Sequence, residues 1–84
     1  MPVVVESTPN PNALKFSVGQ AVGGPATYAA GALVEDPVAA DLLAIDGVAS
    51  VFMTADFVTL TRSPTGDWDA ITPAATRLLE AHFH

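Results

Sequence analysis

Two imidazoles, His82 and His84, stand on either side of Phe83 and could ligate a metal. Residues two apart do not share a helix face, and two ligands leave a site incomplete. A cation near a helix C-terminus is a sufficient explanation for His82. Asp67 and Asp69 could pair as acid and base, yet they flank Trp68 in a loop or first turn ahead of a helix. Carboxylates collect there because the helix dipole favours them. The glycines at 19, 23 and 24 do not make a phosphate loop. They lack a Gly-Lys-Ser/Thr and do not form G-x-G-x-x-G after a strand. No serine sits in a G-x-S-x-G elbow, and neither histidine can be tied to a nucleophile. The chain has no cysteine, hence no disulfide, no thiolate nucleophile and no cysteinyl metal or cluster site. These residues speak against an enzyme and call for no cofactor.

The elements that would position any site are organised around residues 45–61. A helix is expected to end at Gly47, followed by two β-rich runs around a polar break at Thr54-Ala55-Asp56. Residues facing each other on paired strands share a face, and successive residues alternate. With Ala55-Asp56 as a two-residue loop, Met53 faces Val58 and Val51 faces Leu60, giving an apolar side. Phe52 then faces Thr59 and Ser50 faces Thr61, giving a mostly polar side. A three-residue loop mixes the two, so an even loop is preferred. Ala-Asp lacks the Asn-Gly or Asp-Gly signature of a tight turn, which leaves a four-residue loop open.

Ahead of this hairpin, Val3-Val4-Val5 suits a short strand. Thr8-Pro9-Asn10-Pro11-Asn12 is a turn, and Leu14, Phe16 and Val18 alternate with Lys15 and Ser17 as in a half-buried strand. Residues 19–34 read as a loop with room for a short strand, since only Thr27-Tyr28 suggests β pairing. Asp36-Pro37 is a helix start, with Val38, Ala39, Leu42, Leu43 and Ile45 at helical spacing behind it. Trp68, Ile71, Ala75, Leu78, Leu79 and His82 form a second stripe. Pro73 argues for a short turn first, with the main helix starting near Thr72 or Pro73. The order strand, strand, helix, strand, strand, helix predicts an α+β two-layer sandwich, a mostly antiparallel four-stranded sheet with two helices on one face. Lys15, Ser17, Ser50, Phe52, Thr59 and Thr61 would lie on the uncovered face.

Two groupings remain as candidate contact sites. Phe52 on the uncovered face, with Ser50, Thr59, Thr61 and Lys15 around it, could meet a partner; lone exposed apolar residues are also common and need no function. Thr8, Asn10 and Asn12 carry many hydrogen-bonding groups for a peptide or anion, or else satisfy one another in a turn that sets the first hairpin.

At 84 residues the chain is expected to form a single domain over residues 1–84. Three basic residues against nine acidic ones give a net charge of −6, which disfavours nucleic acid and anionic lipid surfaces. No apolar run approaches the ~18 residues of a membrane helix, and the N-terminus has no basic region of the kind that opens a signal peptide. With no address signal, a cytoplasmic location is expected. The oligomeric state stays open, leaning to a monomer.

The run Thr8-Pro9-Asn10-Pro11-Asn12-Ala13-Leu14-Lys15-Phe16 resembles the opening of the N-terminal domain of Nfu/NifU-type iron–sulfur cluster scaffolds. Asp36-Pro37-Val38-Ala39, Ile45-Asp46-Gly47-Val48, Val51-Phe52, Asp56-Phe57-Val58-Thr59-Leu60-Thr61 and Trp68 follow in the order and spacing of that family. Met53 stands where the family usually has an aromatic residue and Thr54 where it usually has glycine. The resemblance implies iron–sulfur cluster assembly. In the family this domain usually precedes a second one whose Cys-x-x-Cys motif carries the cluster, and iron binding is often ascribed to the whole. Lacking cysteine, this chain is expected to act by docking on a carrier or client protein, with Thr8, Asn10, Asn12, Lys15 and Phe52 as contact residues. A generic peptide- or ligand-binding module unrelated to clusters is the second reading. A small metal-binding protein using the carboxylates and histidines is the third.

Overall fold

The structure is a computed structural model that describes residues 3–19, 21–22, 25–31 and 34–83. Gly23, Gly24 and His84, named above, lie outside the described residues. Among the described residues seven elements follow one another: β1 (Val4–Ser7), β2 (Ala13–Ser17), β3 (Ala26–Ala29), α1 (Pro37–Leu43), β4 (Val48–Thr54), β5 (Phe57–Arg62) and α2 (Trp68–Phe83). The five strands form one antiparallel sheet in the order β1-β2-β5-β4-β3.

The α+β architecture matches the expectation, but the sheet has five strands where four were expected. The fifth, β3 (Ala26–Ala29), comes from the stretch read as a loop with room for a short strand at Thr27-Tyr28. Ala-Thr-Tyr-Ala has modest β propensity of its own. It pairs with β4 in the register Thr27 to Phe52 and Tyr28 to Val51, so an unpaired neighbouring strand overrides weak local preference.

The β4–β5 hairpin has the two-residue loop Ala55-Asp56, with Thr54 facing Phe57, Met53 facing Val58 and Val51 facing Leu60. A register shift between Val48 and Ser50 ends this regularity. Ala55 takes a left-handed φ of 50°. The turn is held from outside, because the Ala55 carbonyl accepts from Val22 N–H and the Asp56 carbonyl from Val18 N–H, both at 2.9 Å. These bonds supply what the turn sequence lacks.

Asp36 caps α1 as expected: its Oδ1 accepts from Val38 N–H at 2.9 Å and Ala39 N–H at 3.1 Å. The helix is shorter than expected, ending at Leu43, so Ile45 lies beyond it. Gly47 adopts φ +96° in a turn closed by Val48 N–H on Ile45 C=O, four residues after the last helical one. It therefore shapes a turn and does not cap the helix.

The second helix departs from expectation at its start. α2 runs unbroken from Trp68 with Pro73 inside it. Asp67 caps it, accepting from Asp69 N–H through Oδ1 at 2.9 Å and from Ile71 N–H through its carbonyl at 2.9 Å. Pro73 lies early in the helix and forfeits one backbone bond, a loss offset by burying Ile71 ahead of it and Ala75 and Leu79 behind it. One apolar cluster joins these three residues, with Ala39 and Leu42 of α1, to Phe16, Val51, Met53, Val58 and Leu60 of the sheet and to Val18 just past β2. Both helices therefore cover one face, and the four core residues expected in the hairpin are all buried.

Candidate functional site

The other face of the sheet is uncovered. Register places Glu6, Lys15, Thr59, Phe52 and Thr27 in one row across all five strands. A second row holds Val4, Ser17, Phe57 and Thr54. A third holds Ala13, Thr61, Ser50 and Ala29. Phe52 remains 36% exposed and Val4 52%, an exposure that marks them as the face's large apolar contact points. Lys15 Nζ stands 4.4 Å above the centre of the Phe57 ring, an arrangement that fixes the ammonium over the aromatic π face. Ser17 Oγ donates to Glu6 Oε1 at 3.3 Å.

The charge distribution sets this face apart. Glu6 and Lys15 are its two charged residues and oppose each other in the β1–β2 ladder. Eight acids and two bases are left for the rest of the chain, so the whole net charge of −6 lies off the open face. Those acids sit on α1 and α2 or just ahead of them, in the turn after α1 at Asp46, and at the hairpin tip Asp56.

The five residues chosen from sequence fall into two groups. Lys15 and Phe52 share the open face, one on each side of Thr59. Thr8, Asn10 and Asn12 lie in the turn between β1 and β2. There Thr8 Oγ1 is 2.8 Å from Asn10 O and 2.9 Å from Ala13 O, and accepts from Asn10 N–H at 3.2 Å. Asn10 Oδ1 accepts from Asn12 N–H at 2.9 Å. Arg62 Nε donates to Asn12 Oδ1 at 3.2 Å, and Trp68 Nε1 donates to Pro11 O at 3.2 Å. The turn spends much of its hydrogen-bonding capacity on itself and on the start of α2.

Sequence reasoning missed Val4, Glu6 and Phe57 on the open face. The signal was present for Phe57, because the alternation that put Thr59 and Thr61 outward puts Phe57 there too. Glu6 and Val4 needed the β1–β2 register, which the turn sequence alone does not specify.

His82 Nε2 lies 3.1 Å from Asp41 Oδ2, joining the end of α2 to α1 at the surface. Asp67 and Asp69 serve the start of α2. Among the described residues no group of three or more His, Cys, Asp or Glu is placed to hold a metal ion, and no pocket opens. No helix among them is long and apolar enough to cross a membrane.

Comparison with known proteins supplies the family. The model described as "Scaffold protein Nfu/NifU N terminal" matches residues 3–84. The chain belongs to the Nfu/NifU N-terminal family. Among curated relatives of this Nfu N-terminal chain, the mitochondrial NifU-like protein 5 of Arabidopsis thaliana is 41% identical over 84% of the chain and 27% of its own length. The human mitochondrial NFU1 iron-sulfur cluster scaffold homolog is 38% identical over 84% of the chain and 30% of its own length. The chain thus spans less than a third of these relatives. Among solved structures, a NifU-like protein from Saccharomyces cerevisiae has a TM-score of 0.78 at 25% identity, covering 94% of this chain and 75% of its own. A Staphylococcus aureus protein shares the fold with a TM-score of 0.77 at 22% identity, over 93% and 98% of the two chains.

These relatives correct one expectation. The cytoplasmic assignment is overturned, since the matching NifU-like proteins of Arabidopsis and human are mitochondrial. It had rested on the lack of an address signal, and a lack of signal locates nothing. The Nfu N-terminal chain itself has no thiolate to offer an iron–sulfur cluster, so its residues do not fit cluster ligation of the cysteinyl kind.

Proposed function

We propose that this Nfu N-terminal chain is a non-enzymatic docking module of iron–sulfur cluster assembly. It binds a protein that carries the cluster on a Cys-x-x-Cys motif, or a client receiving one, and does not ligate the cluster itself. The observation that supports this reading most is the open sheet face. It combines exposed Phe52 and Val4 with a ring-stacked lysine and threonine rows, and it carries none of the chain's net charge. An exposed aromatic within a polar surround of zero net charge is the pattern of a protein contact surface. The human relative is by name an iron–sulfur cluster scaffold homolog, which supports the choice of partner.

Phe52 and Lys15 are the contact residues in this reading. Thr8, Asn10 and Asn12 contribute by holding the β1–β2 hairpin that presents Lys15, and by lying exposed or half-exposed at the end of that hairpin.

The test is an amide NMR titration of the labelled chain with the same organism's Cys-x-x-Cys carrier, apo and cluster-loaded. Shifts concentrated on Lys15, Phe52, Phe57 and Thr59 are expected. Unmoved spectra with both forms of the carrier would overturn the docking role and leave the family membership standing.

A further inference from the structure

The turn between α1 and β4 holds an Asp-Gly step, Asp46-Gly47, and no other aspartate or asparagine of the chain precedes a glycine. In such a step the amide nitrogen of the glycine can attack the aspartate carboxyl, because glycine has no side chain in the way. Hydrogen bonds that would tie down the reacting groups are missing here. Among the described residues the Gly47 N–H donates to no acceptor, although its carbonyl accepts from Ser63 N–H at 2.7 Å. The Asp46 side chain is exposed and has no hydrogen bond or ion pair among them. Only the backbone geometry opposes the reaction.

That geometry follows from the turn. Val48 N–H on Ile45 C=O closes it, Gly47 has φ +96°, and Asp46 keeps a negative φ. This is the type II pattern, whose second residue has a ψ of about +120°. Ring closure needs the Gly47 nitrogen to eclipse Asp46 Cβ about the Cα–C bond. At this ψ the nitrogen lies a third of a turn away. It is kept there from the far side, since Ser63 holds the Gly47 carbonyl and the Gly66 backbone packs so closely that a Cβ on Gly47 would stand 2.9 Å from the Gly66 Cα.

We propose that Asp46 is a site of aspartate isomerisation that the folded turn keeps shut and that reacts only when residues 45–48 leave their native geometry. The Gly47 nitrogen bonds to Asp46 Cγ, and the protonated carboxyl loses its hydroxyl with the amide proton as one water. The product is a five-membered succinimide. Water then adds back. Opening at Cγ restores aspartate, and opening at the main-chain carbonyl leaves isoaspartate, with the chain running through Cβ and Cγ. One water leaves and one returns, and nothing is oxidised or reduced. The isoaspartyl chain is one main-chain carbon longer at a turn clamped by Ser63 and Gly66, so it does not regain the native fit. Each opening of the turn thus risks a one-way loss from the folded pool.

The full chain tests this when it is held at neutral pH in native buffer and, in parallel, unfolded in guanidinium chloride. Isoaspartate is read by isoaspartyl methyltransferase labelling and peptide mapping. In the folded protein the reaction runs only in the open fraction, so isoaspartate at residue 46 should form at least about tenfold more slowly than in the unfolded chain. Asp46→Glu keeps the charge and would have to close a six-membered ring, so the unfolded variant should lose the signal. Isoaspartyl chains separated from the unfolded sample and returned to native buffer should show a lower urea midpoint than unmodified chains treated alike. Equal rates in the two states overturn the proposal. So does an unfolded chain without isoaspartate at residue 46, a signal that persists in Asp46→Glu, or an unchanged midpoint in the modified chains.

Discussion

Trp68 donates its indole N–H to the carbonyl of Pro11, 3.2 Å away and 57 residues earlier in the chain. The bond ties the first residue of α2 to the turn that joins β1 and β2. Arg62 lies beside the same contact, with its guanidinium 6.0 Å from the Trp68 ring and its Nε on Asn12. Three separate parts of the sequence thus converge at one end of the sheet. Trp68→Phe keeps an aromatic ring and removes the donor. It should cost about 1 kcal/mol, read as a lower urea midpoint at unchanged slope.

The cap on α1 allows a second expectation. The helix has seven residues, too few to persist without help. Asp36→Ala removes the acceptor for two backbone N–H groups and should destabilise the chain by about 1 kcal/mol in urea unfolding. Asp36→Asn should recover most of the loss.

Ala55 invites a stabilising change. Its φ of 50° is unfavourable for a side chain, and glycine relieves that cost while adding freedom to the unfolded chain. Ala55→Gly should raise stability by about 0.5 kcal/mol. The pairing of Met53 with Val58 should persist, checked by cross-strand NOEs.

Gly47 and Gly66 touch backbone to backbone. A Cβ on Gly66 would come within 2.5 Å of the Gly47 carbonyl, and one on Gly47 within 2.9 Å of the Gly66 Cα. Either alanine substitution should cost about 1–3 kcal/mol through overpacking, and Gly47→Ala also pays for its φ of +96°. Thermal unfolding of the double variant should show a cost that differs from the sum of the two, since both press on one contact.

Phe52 should separate stability from contact. Phe52→Ser removes an exposed ring facing Thr59 and Thr27, so the urea midpoint should move by no more than about 1 kcal/mol. Carrier-induced amide shifts should vanish in the same variant. Retained shifts would show that Phe52 is not part of the contact.

The hairpin was legible because parity is a hard constraint: one side of 51, 53, 58 and 60 is apolar, and a slip by one residue would bury Thr59. The Asp36 cap was legible for a similar reason, as Asp-Pro has few other places to go. β3 was legible only as a hint at Thr27-Tyr28, because two β-formers between glycines carry too little local signal and its place in the sheet comes from pairing with β4. The unbroken start of α2 was not legible. The cost of Pro73 is visible in sequence, while the burial of Ile71 that offsets it appears only in three dimensions. At the candidate site, the exposure of Phe52 followed from parity. The inward commitment of Thr8, Asn10 and Asn12 could not be weighed until Arg62 and Trp68 were seen beside them.

The separation of charge from the open face gives the molecule an electrical orientation. Its helical side and hairpin tip repel an approaching anion, and its sheet side does not. An acidic partner is therefore turned sheet-first before any contact forms, while a basic one is drawn toward the helices. The face a partner meets is selected at a distance of about a Debye length, roughly 8 Å at physiological salt. Raising the ionic strength should blur that selection and leave the contacts themselves to discriminate.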